Sequence, residues 1–496
     1  MTNSLTYVIQ ANQAEEEMTQ EVTSSSSRTQ VILATLGVAM ALLLAALDQT
    51  VVGVAMPRIV ADLHGLQLYA WVTTAYLITS TTLVPVAGKL GDMFGRKPFM
   101  LAGMVGFIAA SALCGLSQNM LELVLFRATQ GVFGGVLFAS TFAVMADLFP
   151  PDQRARMTGV FGAIFGLSSV IGPSLGGFLT DGPGWRSVFY VNIPLGVAAT
   201  ILVATQLPRV RSQARLRDID FVGTALLVAG LTPLLISLSM LRDHSWLSVQ
   251  VLGLLGVAVV LLAGFFINER RVEHPIVPFG LFRLNVFAVP ALIAFFSAIG
   301  MFGAIVFVPL VYQGVLGVSA SNSGQLLTPM QLAVVATATA TGVLLARVPR
   351  YRFVGTAALA VMITGLVLLA QVGPHSSPWE VTRDIVLIGA GLGVTFPLTL
   401  VVVQAGLPHQ LVGVATSQIT FWRSLGGTIG TAVLGAILTN HLSNRPTRVA
   451  LAGTLHDLFL LAALVAVVSL IVSVFLREVP LTRQSQIQPE EIEVAA

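Results

Sequence analysis

Apolar stretches long enough to cross a bilayer follow one another along nearly the whole chain, which leaves few folds open. They fall at about residues 31–56, 69–88, 98–116, 121–146, 157–179, 187–207, 219–241, 249–268, 285–312, 324–346, 353–373, 385–405, 413–439 and 453–476. A helix needs roughly 20 apolar residues to span the hydrocarbon core, and within that core every backbone amide must be satisfied internally. The pattern predicts an all-α membrane protein with fourteen transmembrane helices. Only 10% of the 496 residues are charged, against about 25% in a typical soluble domain. An ordinary soluble enzyme is excluded.

The distribution of basic residues sets the expected orientation, because Lys and Arg gather in cytoplasmic loops. With the N-terminus inside, cytoplasmic segments hold 18 of the 26, among them Lys89, Arg96, Lys97, Arg209, Arg211, Arg215, Arg217, Arg347, Arg350 and Arg352. Outer loops hold six, and Arg127 and Arg423 are embedded. Both termini are then cytoplasmic. Residues 1–30 read as a disordered tail lacking the apolar core of a signal peptide, and 477–496 as a second polar tail. The short loops and the lack of glycosylation acceptors favour a bacterial inner membrane.

Several function classes drop out. The net charge of +3 is spread over short loops with no basic stripe, so no nucleic-acid partner is expected. Cys114 is the only cysteine, and the histidines show no metal spacing; no disulfide and no metal are expected. The chain has no Gly-x-x-x-x-Gly-Lys-Ser/Thr loop, which removes ATP as the drive, and no nucleophile–base constellation that supports catalysis.

Against this apolar background three charges stand out. Asp48 interrupts Val31–Met56, Arg127 interrupts Leu121–Met145 and Arg423 interrupts Val412–Leu438. Each costs roughly 2.5–3.5 kcal/mol in hydrocarbon even on the lenient insertion scale, so the default reading is a transport pathway or proton relay. Asp48 can pair with Arg127, the favoured partner, or with Arg423. The bland alternative is a permanent ion pair that ties the bundle together.

The chain also echoes itself. Gly131-Val-Phe-Gly-Gly-Val-Leu-Phe138 is matched about 258 residues later by Gly389-Ala-Gly-Leu-Gly-Val-Thr-Phe396. The echo suggests two six-helix halves, 31–207 and 285–476, joined by a linker, 208–284, with two further spans. Parallel repeats of this kind form transporters with a midplane site. Arg127 falls opposite Ile385, so the buried base belongs to one half alone.

Local motifs sharpen the picture. Gly88-Lys-Leu-Gly-Asp-Met-Phe-Gly-Arg-Lys97 joins the second and third spans, with Gly88, Gly91 and Gly95 allowing a tight turn and both charge signs, Asp92 with Arg96 and Lys97, at the bundle edge. In the fifth span Pro173 removes a backbone bond, while Gly166, Gly172, Gly176 and Gly177 admit a close neighbour. Small residues at this spacing also serve plain packing.

The Gly88–Lys97 turn resembles the signature loop of the major facilitator superfamily. In that family the acid and base of the loop pair with an acid at the end of the fourth span, and Asp147 stands there. Leu125-Phe-Arg-Ala-Thr-Gln-Gly131 resembles the fourth-span Arg-x-x-Gln-Gly motif, whose arginine serves proton coupling. The Gly166–Gly177 stretch resembles the fifth-span antiporter motif, with a longer first spacing. Leu47 to Pro57, Trp185 to Gly196 and Phe421-Trp-Arg-Ser-Leu-Gly-Gly427 are similar to the fourteen-span drug:proton antiporter branch, which usually carries Asn where Gly53 stands.

The resemblance implies a proton-driven antiporter that exports hydrophobic drugs or amphiphiles across the plasma membrane by alternating access, with Asp48 as the switch and the lipid bilayer and small substrates as partners. A lone buried acid suits a lipophilic cation. The candidate cavity walls are Tyr76, Phe138, Phe165, Phe302, Tyr312, Gln331, Gln404 and Trp422. Some members of the branch dock to a periplasmic adaptor protein. Alternatives are an exporter of lipids or other endogenous metabolites, a proton symporter for a nutrient, and a non-transporting membrane sensor or scramblase.

Overall fold

The computed structural model describes residues 28–64, 68–149, 151–208, 219–241, 244–272, 275–318, 326–345, 351–441 and 447–478. The predicted tails, apart from residues 28–30 and 477–478, and Arg209, Arg211, Arg215, Arg217, Arg347 and Arg350 lie outside them. The described residues hold helices and no strand. The long helices are α1 (Arg28–Leu63), α2 (Tyr69–Phe94), α3 (Arg96–Leu116), α4 (Met120–Leu148), α5 (Pro151–Asp181), α6 (Asn192–Gln206) and α7 (Phe221–Met240). They continue with α8 (Val249–Glu269), α9 (Asn285–Leu310), α10 (Thr328–Leu345), α11 (Tyr351–Ala370), α12 (Pro378–Gly406), α13 (His409–His441) and α14 (Arg448–Val474).

Among the described residues, twelve helices are long and apolar enough to cross a membrane. The two long helices outside that set are α2 and α13. They pack against each other, and α13 carries the buried polar run Thr416, Ser417 and Gln418. Helices that face an interior rather than lipid tolerate such residues, which lowers their mean hydropathy. Outward-facing side chains elsewhere are large and apolar, including Ile201, Val259, Val260, Phe353 and Leu464. That surface would aggregate in water and is at home in lipid.

Helix ends follow their sequence. Asn119 caps α4 by accepting from the Glu122 amide, and Ser377 with Glu380 forms a capping box on α12 behind Pro378. The predicted span 187–207 is broken at Val191 into a short turn, Ser187–Tyr190, and α6. Pro194 has no N–H to give the Tyr190 carbonyl, which accounts for the break. Helix α1, at 36 residues, is about 54 Å long at 1.5 Å per residue and overruns the bilayer.

Helices α1–α6 pack chiefly among themselves, as do α9–α14, while α7 and α8 form a pair that rests on α2 and α13. At the base of that pair Asp220 caps α7 and accepts from Asn268 at 2.7 Å. Between the two groups, α2 meets α13 and α5 meets α10. Counted within each group, the second helix of one faces the fifth of the other.

Candidate functional site

Asp48 lies in the middle of a closed polar network. Its Oδ2 accepts from Arg127 Nη1, and its Oδ1 accepts from Gln130 Nε2 and Asn192 Nδ2, both at 2.9 Å. Arg127 also donates to Gln130 Oε1 at 2.7 Å and to the Val72 carbonyl at 3.4 Å. Asn192 continues to Ser111 Oγ at 2.9 Å, and Ser111 to the Phe189 carbonyl. The Tyr76 ring lies 4.4 Å beneath the guanidinium. Asp48 and Arg127 are each 1% exposed, so the ion pair is shielded from water and from lipid.

Four helices supply this network: α1 the acid, α4 the base and Gln130, α6 Asn192, and α3 Ser111. Gln130 and Asn192 are not among the site residues expected from the sequence. The signal is present there, because Gln130 falls one turn after Arg127 and Asn192 is an amide set among apolar residues. Both carboxylate oxygens of Asp48 accept hydrogen bonds from the protein, and the charge beside it is the Arg127 guanidinium.

Arg423 stands apart. Its Nη2 donates to Thr399 Oγ1 at 2.6 Å, its guanidinium lies 4.0 Å over the Phe396 ring, and it pairs with no carboxylate among the described residues. Of the two arginines that could answer Asp48, Arg127 does so here and Arg423 does not.

The Gly88–Lys97 segment, helical as far as Phe94 and turned only at Gly95, joins the two helix groups. Gly95 takes φ +91°, a left-handed backbone that suits glycine. Arg96 reaches Asp92 at 3.1 Å and Asp147 at 2.8 Å, and Lys97 donates to the Leu207 carbonyl at 2.6 Å. Asp92 Oδ2 accepts from the Val414 amide at 2.7 Å, near the start of α13. A Cβ at Gly413 would overlap that carboxylate, and one at Gly88 would overlap Ser417. Nearby, Arg154 Nη1 donates to the Gln404 carbonyl at 3.3 Å, a second crossing at the same end. Burial lowers the Arg154 pKa, and Asp147 partly offsets this.

The fifth-helix glycines divide. Gly172 and Gly176 abut Thr50 and Val51, two and three residues after Asp48, and Thr50 Oγ1 donates to the Ser168 carbonyl at 3.3 Å. Gly166 abuts Val335 of α10. A Cβ at Gly177 would have nothing within 4 Å, so this glycine is not part of the close approach. The side chain of Pro173 lies outside the described residues.

The predicted cavity walls do not form one surface. Tyr76 lies in the Asp48 network. Tyr312 is fully buried in the core of the second group, its hydroxyl 2.9 Å from Thr382, so it braces the turn Val311–Val315 that follows α9 against α12. Trp422 packs edge-on against Phe282, Phe295 and Phe421. Phe138 packs on a core cluster that both helix groups share, Phe302 fills the space beside Gly427, and Gln331 is half-buried opposite α5. Gln404 is fully buried with both side-chain ends unpartnered. Phe165 lies outside the described side chains. A crevice of about 390 Å³ between α1, α5 and α6 is lined by Leu47, Val51 and Asn192, and by none of these eight. Among the described residues no cluster could hold a metal ion.

Comparison with known proteins agrees with this geometry. Residues 38–431 match the Major Facilitator Superfamily. The multidrug transporter protein MdtP of Bacillus subtilis is 42% identical over 84% of this chain and 77% of its own length. Multidrug resistance protein 3 of the same organism is 36% identical over 85% and 82%. The tetracenomycin C resistance and export protein of Streptomyces glaucescens is 31% identical over 82% and 76%. The crystal structure of the human organic anion transporter MFSD10 superposes with a TM-score of 0.66 at 17% identity, over 88% of this chain and 99% of that one. At that identity the likeness speaks for the fold alone.

Proposed function

The chain belongs to the Major Facilitator Superfamily, and on that premise we propose that it is a proton-coupled antiporter exporting lipophilic drugs or amphiphiles. It is a multi-pass membrane transporter and not an enzyme. Its similarity to multidrug and antibiotic exporters supports drug efflux. The observation that carries the proton step is the buried Asp48 carboxylate held by Arg127, Gln130 and Asn192.

In this reading the two packed groups, 31–207 and 285–476, rock about a central site. All fourteen long helices span the bilayer, including α2 and α13, and both termini are cytoplasmic. The crossings Asp92–Val414 and Arg154–Gln404 then lie on the cytoplasmic side and hold the transporter closed there. A proton arriving from outside neutralises Asp48, weakens its hold on Arg127 and loosens α1 from α4. Gly172 and Gly176, packed on Thr50 and Val51, pass that loosening to α5, which also touches α10 through Gly166. Proton release inward restores the pair. The proton gradient is the drive and ATP takes no part; the partners in this reading are the bilayer and small substrates.

Dye accumulation tests the export reading. Ethidium, rhodamine 6G and fluorescein are compared in cells with and without the gene, with an uncoupler as control. At least one dye accumulates less in expressing cells, and the uncoupler abolishes the difference. Equal accumulation of all three contradicts export.

A further inference from the structure

Arg423 carries a charge where a charge is hardest to keep, with nothing of opposite sign beside it among the described residues. Arg127, the other arginine embedded in the bundle, is met by a carboxylate. Arg423 is met only by neutral oxygens: Nη2 donates to Thr399 Oγ1 at 2.6 Å and to the Phe396 carbonyl at 3.5 Å. Its Nη1 is buried and donates to nothing among the described residues. An uncompensated buried charge and an unused buried donor are both costly, so such a group is expected to have a partner that is absent from the resting protein.

Its place in the fold indicates which partner. The guanidinium lies over Phe396, and the Phe396 ring lies 5.8 Å from Phe142 of α4. Arg423 therefore stands on the seam between the two helix groups, where a path through the protein must run. Two turns earlier on the same face of α13, Thr416 is fully buried and its hydroxyl is also unpartnered. An arginine backed by an aromatic face, with hydroxyls nearby, matches the planar, two-oxygen geometry of a carboxylate.

We propose that Arg423 anchors the acidic group of the transported molecule, and that the cargo class is a lipophilic organic acid. Thr399 holds the guanidinium in place, and Thr416 offers a neutral hydrogen bond. The proposal rests on the export reading and replaces the lipophilic cation suggested by Asp48, whose charge is already paired with Arg127. Binding of the acid supplies the missing counter-charge, so the cargo itself makes the seam less costly to keep closed.

Two xanthene dyes separate this from the export reading as a whole. Fluorescein carries a free carboxylate; rhodamine 6G is an esterified cation of similar size. Binding of each to the full-length protein in detergent is followed by fluorescence polarisation. Loss of a charge-assisted bond predicts that Arg423→Gln weakens fluorescein binding by about 10- to 100-fold while rhodamine 6G binding stays within about twofold. Arg423→Lys, which keeps the charge without the planar fork, falls between, and it serves as the test if Arg423→Gln does not fold. Unchanged fluorescein binding in these variants, or equal loss of both dyes, overturns the proposal. Wild-type protein that binds rhodamine 6G and not fluorescein overturns the acid-cargo proposal and leaves export standing; protein that binds and exports neither removes both.

Discussion

Asp92 accepts a hydrogen bond from the backbone amide of Val414 across 322 residues of sequence, so one carboxylate ties the end of α2 to the start of α13. The bond is possible because Gly413 has no side chain to meet the carboxylate. Gly413→Ala should push the two helices apart and Asp92→Asn should weaken the tie. A hydrogen bond to a charged group contributes about 1.5–3 kcal/mol, enough to shift the closed population roughly tenfold or more. Cysteine labelling at this end of α13 should speed up in both variants; unchanged labelling would mean that the tie does not hold the state.

Asn192 and Gln130 satisfy the Asp48 carboxylate beside Arg127. Removing either leaves a buried charged oxygen short of a donor. Asn192→Ala and Gln130→Ala should each lower stability by about 1.5–3 kcal/mol, read as a lower unfolding midpoint in detergent. A midpoint equal to wild type would show that the network is looser than its distances imply.

Gly172 and Gly177 belong to one sequence motif and should behave differently. A Cβ at Gly172 meets Thr50, whereas one at Gly177 meets open space. Gly172→Ala should abolish efflux, and Gly177→Ala should leave it within about twofold, as is usual for a substitution that touches nothing. Equal loss in both would point to backbone flexibility rather than close packing.

At the far end of α1, Asp62 accepts from Trp185 Nε1 and Arg186 Nη1, both at 2.8 Å. These bonds hold its carboxyl below the ordinary value of 3.8. The unfolded chain therefore takes up the proton first, so the contribution of Asp62 is complete above that value and is lost as pH falls through the lower folded one. The stability gap between wild type and Asp62→Asn should be constant from pH 7 to pH 5 and shrink below pH 3.8. A gap that grows on acidification would reverse the sign of this account.

Much of this architecture was legible in the sequence, and the exceptions share a cause. Long apolar spans, the Gly88–Lys97 turn and the embedded charges all show in local composition, because hydrocarbon penalises every polar residue alike. What local composition cannot show is which distant groups meet. Asn192 reaches Asp48 across 144 residues, and Val414 reaches Asp92 across 322. Tyr312 illustrates the reverse case: an aromatic in an apolar span looks the same whether it lines a path or, as here, fills a core. The polar faces of α2 and α13 lower their mean hydropathy for the reason that makes them central, namely that they face each other.

The most direct test of the central claim is substrate-induced proton movement in everted membrane vesicles carrying wild-type or Asp48→Asn protein, followed with an acridine dye. The account predicts that a transported dye dissipates the pH gradient in wild-type vesicles and leaves it intact with Asp48→Asn. An undiminished proton flux with Asp48→Asn would contradict it.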